Sequence, residues 1–535
     1  MQSIGFTTIK SQVCKIVPTS LLNVCQDRKL TQYFYLILGF SLFLHLISIA
    51  TTVLIVEEAY YWNYAQHLDF SYLDHPPMVA ILIKLSTLIF GTTEFGVRAI
   101  TIFCFIITAT YSYKLTQLIN KNSAPYALIL LAILPFFFLH SQIITPDVPL
   151  IACWSASIYC LYRALVRNEA NLYYLAGIWL GLGMLSKYTI ALVGLAALVY
   201  ILLIPSARYW LRRKEPYFCA GIALLIFTPV IYWNATHQWV SFIFQSSRRL
   251  VSTSSIRLHH VILLTLFFLM PIGIYGFCQL MKKNSPEISS ISTNTKHFMR
   301  IFTLVPLTIF ALFSLNHAVK FNWVGPIFLA LIPWLAALIA NNPATRLSWL
   351  KSCVFLLGCY AIILMFLFFN TSQTIHKKYL KDILAWDKLT QQFNILAAKI
   401  EEEMQQSPTF VPLDSYHIGS ELSFYQAKLL SQGGITKSYP VAGSHVFGNN
   451  SLMYRYWSNK IDYLDKPLIL ISTEPASFDN PILKEQTIEQ SVMKRIVSVS
   501  QGQGIKGIPY YYKVVRIRKK NAISHPDDFI YNQGQ

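Results

Sequence analysis

Charge is what this sequence has least of. Only 13% of its 535 residues are Asp, Glu, Lys or Arg, whereas a soluble chain carries about a quarter. With 54% hydrophobic residues and a mean hydropathy of +0.44, the shortage excludes water as the solvent for much of the chain and leaves lipid. Acid is scarcer still: 25 Asp and Glu stand against 44 Lys and Arg, a formal charge of +19. In a soluble protein that excess points to nucleic acid. Here the basic residues sit between apolar stretches, where they orient helices, and no nucleic-acid partner is expected. The nine cysteines all precede residue 360, mostly within apolar runs and without metal-ligand spacing. The polar region that follows is therefore expected to hold together without disulfides. A cleavable signal peptide is not expected either. Residues 1–32 are polar and basic (Lys10, Lys15, Arg28 and Lys29 against Asp27), and the first apolar run starts too late and runs too long. They read as a cytoplasmic basic leader.

What is present in abundance is uninterrupted apolar sequence. Residues 33–56 contain no Asp, Glu, Lys or Arg over 24 positions, more than the roughly 20 a helix needs to cross about 30 Å of hydrocarbon. Ten further candidates follow at 97–119, 124–141, 146–165, 172–186, 189–205, 217–233, 258–280, 301–315, 323–340 and 349–370, of which 172–186 and 301–315 are short. The expected fold is an all-α polytopic membrane domain of about eleven transmembrane helices over 33–370. Basic residues mark alternate short loops: Lys121; Arg163 and Arg167; Arg208, Arg212, Arg213 and Lys214; Lys282, Lys283, Lys296 and Arg300; Arg346 and Lys351. They share a side with the leader, which makes that side cytoplasmic. An odd number of spans then puts residues 371–535 outside, in the periplasm of an inner membrane. That region mixes a helical stretch through Met404 with strand-like runs at 409–413, 467–472 and 510–517, and reads as a small α/β domain. No internal repeat is evident.

The external loop 57–96 carries the chemistry. Glu57-Glu58-Ala59-Tyr60-Tyr61-Trp62 follows the first span, and Tyr72-Leu73-Asp74-His75-Pro76-Pro77 comes after it. Adjacent carboxylates at a membrane boundary are costly unless solvated, paired or bound to a cation. Tyr61, Trp62 and Tyr72 lie beside them, and aromatic faces suit the C–H face of a sugar while acids bind its hydroxyls. The plainer reading makes the glutamates a solvated helix end and the aromatics an interfacial belt. Residues 78–91 are apolar except for Lys84 but short for a span, and read as an interfacial or re-entrant helix. Arg248 and Arg249 fall outside, against the topology rule; either they anchor headgroups or they bind a phosphate. Lys187 at an external turn is either a snorkelling anchor or a ligand. Asp147 opens a span, where the helix dipole stabilises an acid.

The ordered set of motifs resembles the bacterial branch of the family 39 glycosyltransferases, which includes protein O-mannosyltransferase-like and lipid A aminoarabinose transferase-like enzymes. Besides the two motifs above, Thr145-Pro146-Asp147, Ser186-Lys187-Tyr188 and Asn322-Trp323 with Pro326 fit in order. The resemblance covers residues 30–370 well and the rest loosely. It implies a C-type glycosyltransferase fold that takes a sugar from a polyprenyl-phosphate donor to a lipid, glycan or protein acceptor by inverting displacement. It also implies a general base at Glu57 or Glu58, with Glu57 favoured although relatives more often have Asp there. Asp74 corresponds to an acid that helps bind a divalent metal near the donor phosphate. His75 stands where such relatives have lysine, and Lys187 corresponds to a phosphate-binding lysine. No histidine stands in 242–250 to complete a metal set. Lipopolysaccharide, lipid A or another envelope glycan is the expected acceptor. The alternative is a lipid-linked-saccharide flippase or secondary transporter, which calls for mid-membrane ionisable groups and repeat symmetry; a third is a non-catalytic scaffold.

Overall fold

The structure is a computed structural model that describes residues 28–250, 258–270, 273–282, 291–317, 319–369, 386–497 and 509–518. Most of the leader 1–32, Arg257 and the group Lys377, Lys378, Lys381 and Asp382 lie outside the described residues. The chain divides into two compact units. The first comprises 1–51, 70–82 and 98–368, and the second 52–69, 83–97 and 369–535.

The first unit is helical, as lipid requires. With no water to pair with, a spanning backbone must satisfy its own N–H and C=O groups. Among the described residues six helices are long and apolar enough to cross a membrane: Lys29–Thr51, Glu94–Ile119, Asp147–Arg167, Glu215–Thr236, Thr293–Phe313 and Arg346–Met365. Counting three bent helix pairs as single spans raises this to nine. The chain is a multi-pass membrane protein.

Several expected spans are broken, and prolines account for the breaks. Residues 124–141 form two helices, Ala124–Ile133 and Pro135–His140, because Pro135 donates no hydrogen bond and holds Leu134 at ψ 128°. The Ala191–Leu203 helix stops before Pro205, and the 3-10 helix Pro205–Arg212 leaves at 112° to the helix above it. The region from Asn322 to Ala340 bends by 55°, with Pro326 and Pro333 each near the start of a helical segment. The first span also differs from the expected 33–56. Its helix is Arg28–Thr51, where the Thr51 hydroxyl turns back onto the Ile47 carbonyl at 2.7 Å. A non-helical stretch follows, with Ile55 extended at φ −82° and ψ 156°. The acidic pair therefore opens a second helix, Val56–Gln66, instead of closing the first.

Small residues set one close helix approach. Gly177 and Gly181, one turn apart in Leu172–Met184, face the Glu215–Thr236 helix. A Cβ on Gly177 would lie 2.6 Å from the Cys219 carbonyl oxygen, and one on Gly181 would lie 2.7 Å from Ile226 Cβ. This small-xxx-small spacing lets two backbones meet where lipid offers no hydrophobic drive.

The second unit pairs helices with a five-stranded mixed sheet in the order β1-β2-β5-β3, with β4 also on β5. The strands are β1 Thr409–Pro412, β2 Leu468–Ser472, β3 Thr487–Glu489, β4 Lys494–Val497 and β5 Pro509–Ile517. β1 runs parallel to β2, and the remaining pairs are antiparallel. The apolar runs at 409–413, 467–472 and 510–517 supply β1, β2 and β5. β3 and β4 are too short and too polar to announce themselves. They pair with successive parts of β5 and are separated by a bulge, in which Gln490 and Ser491 both donate to the Val514 carbonyl. Val492 (74%) and Met493 (44%) are pushed out into the open. Tyr510 on β5 packs under Trp386 and Phe393 of the Trp386–Met404 helix.

His445 in this unit is held neutral. Burial pushes its pKa down to about 4, against the opposing effect of a bond to the Ser458 carbonyl. Nε2 donates to that carbonyl at 3.0 Å, which leaves Nδ1 to accept from the Ser451 hydroxyl at 2.9 Å. The unfolded chain takes up this proton near pH 6.5 and the folded chain only near pH 4. The stabilisation is thus whole above pH 6.5 and lost as pH falls between those values, by up to about 3 kcal/mol. Melting curves of wild type and His445→Gln will show a Tm difference that is constant above pH 7 and shrinks towards pH 4.5. At the helix contact, Gly177→Leu will lower the Tm of the detergent-purified protein, at a cost of about 1–3 kcal/mol for overpacking.

Candidate functional site

In the first unit three of the sequence motifs meet at helix ends. Asp147 is the first residue of Asp147–Arg167. Lys187 is extended, between Leu172–Met184 and the 3-10 turn Tyr188–Ile190. Asn322 lies in the short helix Phe321–Val324. Lys187 Nζ donates to Asp147 Oδ1 at 2.7 Å, and Asn322 Nδ2 donates to Asp147 Oδ2 at 2.5 Å. Both ionic side chains are buried, at 6% and 1% exposure. Each oxygen of the carboxylate is thus taken, one by a cation and one by an amide. The Asp147 helix adds a third stabilising influence, since its N-terminus attracts negative charge.

The Asp74 loop is tied to the same neighbourhood. The Met78 N–H donates to the Leu185 carbonyl at 2.9 Å, two residues before Lys187. The Gln245 side-chain amide donates to the Asp74 carbonyl, linking the loop to the helix Val240–Leu250. The Tyr188 and Ser241 hydroxyls are 3.1 Å apart and bind that helix to the Lys187 turn. Within the loop the Tyr72 N–H donates to the His75 carbonyl at 3.1 Å. Asp74 and His75 are half-buried, while Tyr72 is fully buried. Arg248 and Arg249 close the Val240–Leu250 helix, and their side chains lie outside the described residues.

The acidic pair belongs to the second unit, where its two members part company. Both occupy the first turn of Val56–Gln66. Glu58 is fully buried and accepts the Ile55 N–H at 3.1 Å, capping its own helix. Glu57, next to it, is exposed. The rest of this helix docks on His417–Ser431. Asn63 donates to the Ser420 carbonyl at 3.2 Å, and Trp62 meets Phe424 edge-on at 5.3 Å. Tyr60 packs on Tyr416 at 4.6 Å and accepts the Met453 N–H at 3.3 Å. Tyr61 and Trp62 are both buried in this contact region. His67 stacks on Trp457 at 4.6 Å, and burial lowers its pKa. Lys428 pins the unit from another side, bonding Glu94 at 2.7 Å and Asp387 at 3.1 Å. Burial works against its charge, but the two acids outweigh that and raise its pKa. Asp414 caps the docking helix, accepting the His417 N–H at 2.6 Å.

Residues 74–233 match the sequence model of the dolichyl-phosphate-mannose-protein mannosyltransferase family. The matched segment contains Asp74, His75, Asp147 and Lys187 and ends before the Val240–Leu250 helix. A lipid A galacturonosyltransferase of Rhizobium johnstonii is 25% identical over 38% of this chain and 43% of its own length. An undecaprenyl phosphate-alpha-4-amino-4-deoxy-L-arabinose arabinosyl transferase of Yersinia enterocolitica is 29% identical over 32% and 29%. The chain therefore spans less than half the length of these curated relatives. The crystal structure of ArnT from Cupriavidus metallidurans bound to undecaprenyl phosphate shares the fold, with a TM-score of 0.60 over 90% of this chain and 98% of that one at 13% identity.

Among the described residues no three His, Cys, Asp or Glu side chains gather in a set able to hold a metal ion. Asp74 has no such company, and His237 is engaged with the Trp233 carbonyl at 2.9 Å and stacked on that ring.

The partnership of Asn322 with Asp147 was not foreseen from sequence. The signal was present in the Asn-Trp motif that opens a late helix, although nothing in one sequence says which acid it faces. Breaking the buried pair from one side leaves a stranded charge, which costs about 3–5 kcal/mol. Lys187→Met and Asp147→Leu will each lower the Tm of purified protein sharply. The double variant will recover part of the loss, giving a strongly non-additive thermal-denaturation cycle.

Proposed function

We propose that the chain is a polyprenyl-phosphate-sugar-dependent glycosyltransferase of the bacterial envelope, acting at the periplasmic face of the inner membrane. The observation that carries this reading is the hydrogen-bonded junction of the Asp74–His75 loop, the Lys187 turn and the helix that bears Arg248 and Arg249. Our candidate cations for an amphiphilic phosphate approaching from the membrane are His75, Arg248 and Arg249, while Lys187, held by Asp147, fixes the turn to which the Asp74–His75 loop is tied. A cationic cluster of this kind stabilises charge building on a departing phosphate. Undecaprenyl phosphate is bound in the similar crystal structure and lipid A is named for a similar transferase, and we take these as donor carrier and acceptor class for this chain.

Glu57 is our general base. Its exposed carboxylate is free to take the acceptor hydroxyl's proton as that oxygen attacks the anomeric carbon, which has oxocarbenium character, from the face opposite the phosphate. Glu58, turned inward as a cap, holds the helix that presents Glu57. Asp74 orients the loop that carries His75. Tyr61 and Trp62 support the acidic helix from its buried side. Eleven spans follow if the pair Ala124–Ile133 and Pro135–His140 and the short Leu172–Met184 each cross, in addition to the nine candidates. The N-terminus is then cytoplasmic and the 371–535 region periplasmic.

Mass spectrometry of lipid A and core oligosaccharide from a deletion strain will show the loss of one sugar mass; an unchanged envelope refutes this acceptor class. Complementation with Glu57→Gln will leave the sugar absent, with transfer reduced about 10²–10⁴-fold in a membrane assay and the protein's Tm unaltered. Glu58→Gln will instead lower the Tm.

A further inference from the structure

The glycine contact described above has a second effect on the first unit. It draws Leu172–Met184 tightly against Glu215–Thr236, while Ala191–Leu203 makes little direct contact with the latter helix. Between them lies an apolar groove of about 440 Å³, within the usual range of about 300–1,000 Å³ for ligand sites. Its walls are kept back by Gly194, Ala197, Ala220 and Ala223. A groove of this size among membrane helices is filled from the bilayer, and its lining offers almost nothing to a polar molecule.

The foot of the groove is different in character. The 3-10 helix Pro205–Arg212 turns across it at 112°, and its period of three sorts the side chains cleanly. Ile204, Ala207 and Trp210 point inward and are buried, and Trp210 packs edge-on against Tyr173 at 4.8 Å. Leu211 lines the groove while remaining exposed, and Arg208, Tyr209 and Arg212 beside it are exposed as well. From Arg208 to Glu215 there are four basic residues and one acid. That acid, Glu215, is taken by Arg213 at 2.7 Å, and Arg208 Nε donates to the Leu202 carbonyl at 3.0 Å. Arg212 and Lys214 form no ion pair among the described residues. An in-plane amphipathic helix with a basic, aromatic outer face sits at the headgroup level of a bilayer, and basic pockets between spans collect anionic headgroups there.

We propose that this groove is the binding site of one anionic glycerophospholipid, an acyl chain lying between Ala191–Leu203 and Glu215–Thr236 and its phosphate held at the foot by Arg208 and Arg212. The guanidinium fork matches phosphate oxygens. The opposite end of the groove, at Met184 and Ile190, adjoins Lys187, but that cation is committed to Asp147; the available positive charge is at the foot. The site is separate from the residues assigned to sugar transfer and, in the orientation proposed above, belongs to the cytoplasmic leaflet.

Native mass spectrometry of the full-length protein in mild detergent tests this by titration with phosphatidylglycerol, phosphatidylcholine of the same chains, and undecaprenyl phosphate. Phosphatidylglycerol is expected to be retained on the order of tenfold more tightly than phosphatidylcholine, as about 1.4 kcal/mol of charge-assisted contact gives. The Arg208→Ala/Arg212→Ala double variant will remove that preference. Gly194→Leu/Ala197→Leu will reduce retention of both phospholipids, with size-exclusion profiles confirming folded protein. Equal retention of the two phospholipids, or a double arginine variant that keeps the preference, overturns the proposal. So does displacement of phosphatidylglycerol by undecaprenyl phosphate that persists in the arginine variant, which would give the groove to a polyprenyl tail. Glu57→Gln protein, inactive in transfer, will still retain phosphatidylglycerol, so failure of one reading is distinguishable from failure of the other.

Discussion

A buried charge survives only with a partner, and the first unit is organised around that constraint at Asp147. Lys187 and Asn322 fill the two oxygens of one carboxylate, and the three residues come from three separate helical regions. None of those regions can slide along its axis without stranding a charge in a poorly solvating interior. The pair is therefore a weak source of net stability but a strong determinant of register. The Asp74 loop inherits its position from the same place, because its final N–H is bonded beside the Lys187 turn. The loop that carries Asp74 and His75 is thereby held in position by a buried interaction.

The second unit shows a different solution to the same shortage of water. The Val56–Gln66 helix spends its aromatic residues on protein, and Trp62, Tyr60 and Asn63 all face the His417–Ser431 region. One glutamate of the pair is consumed as a cap and the other is left outside. Two adjacent residues of the same type thus acquire opposite roles from a rotation of about 100° along a helix.

The degree to which all this was legible in the sequence varied with the range of the interaction involved. Apolar runs long enough to cross lipid declared the membrane helices, but 124–141 was read as one span although Pro135 divides it into two helices. The strands β1, β2 and β5 were visible as apolar runs; β3 and β4, at three and four residues, were not, since their existence depends on β5 lying alongside. The end of the first helix at Thr51 was hidden because Thr52, Val53 and Leu54 are as apolar as what precedes them. Lys187 was singled out from its position at an external turn, yet its engagement with Asp147 spans 40 residues, and that acid's bond from Asn322 spans 175. Pairings of that reach are decided by packing, which hydropathy does not record.

The interrupted strand along β5 has a consequence for life in a crowded membrane. Four residues, Gln490 to Met493, lie opposite only two of β5, so the outer border of the sheet is kinked and offers no straight ladder of unpaired amides. A neighbouring copy confined to the same two-dimensional surface cannot extend the sheet across that border by adding a strand of its own. The distortion thus guards against chain-to-chain association where local protein concentration is highest.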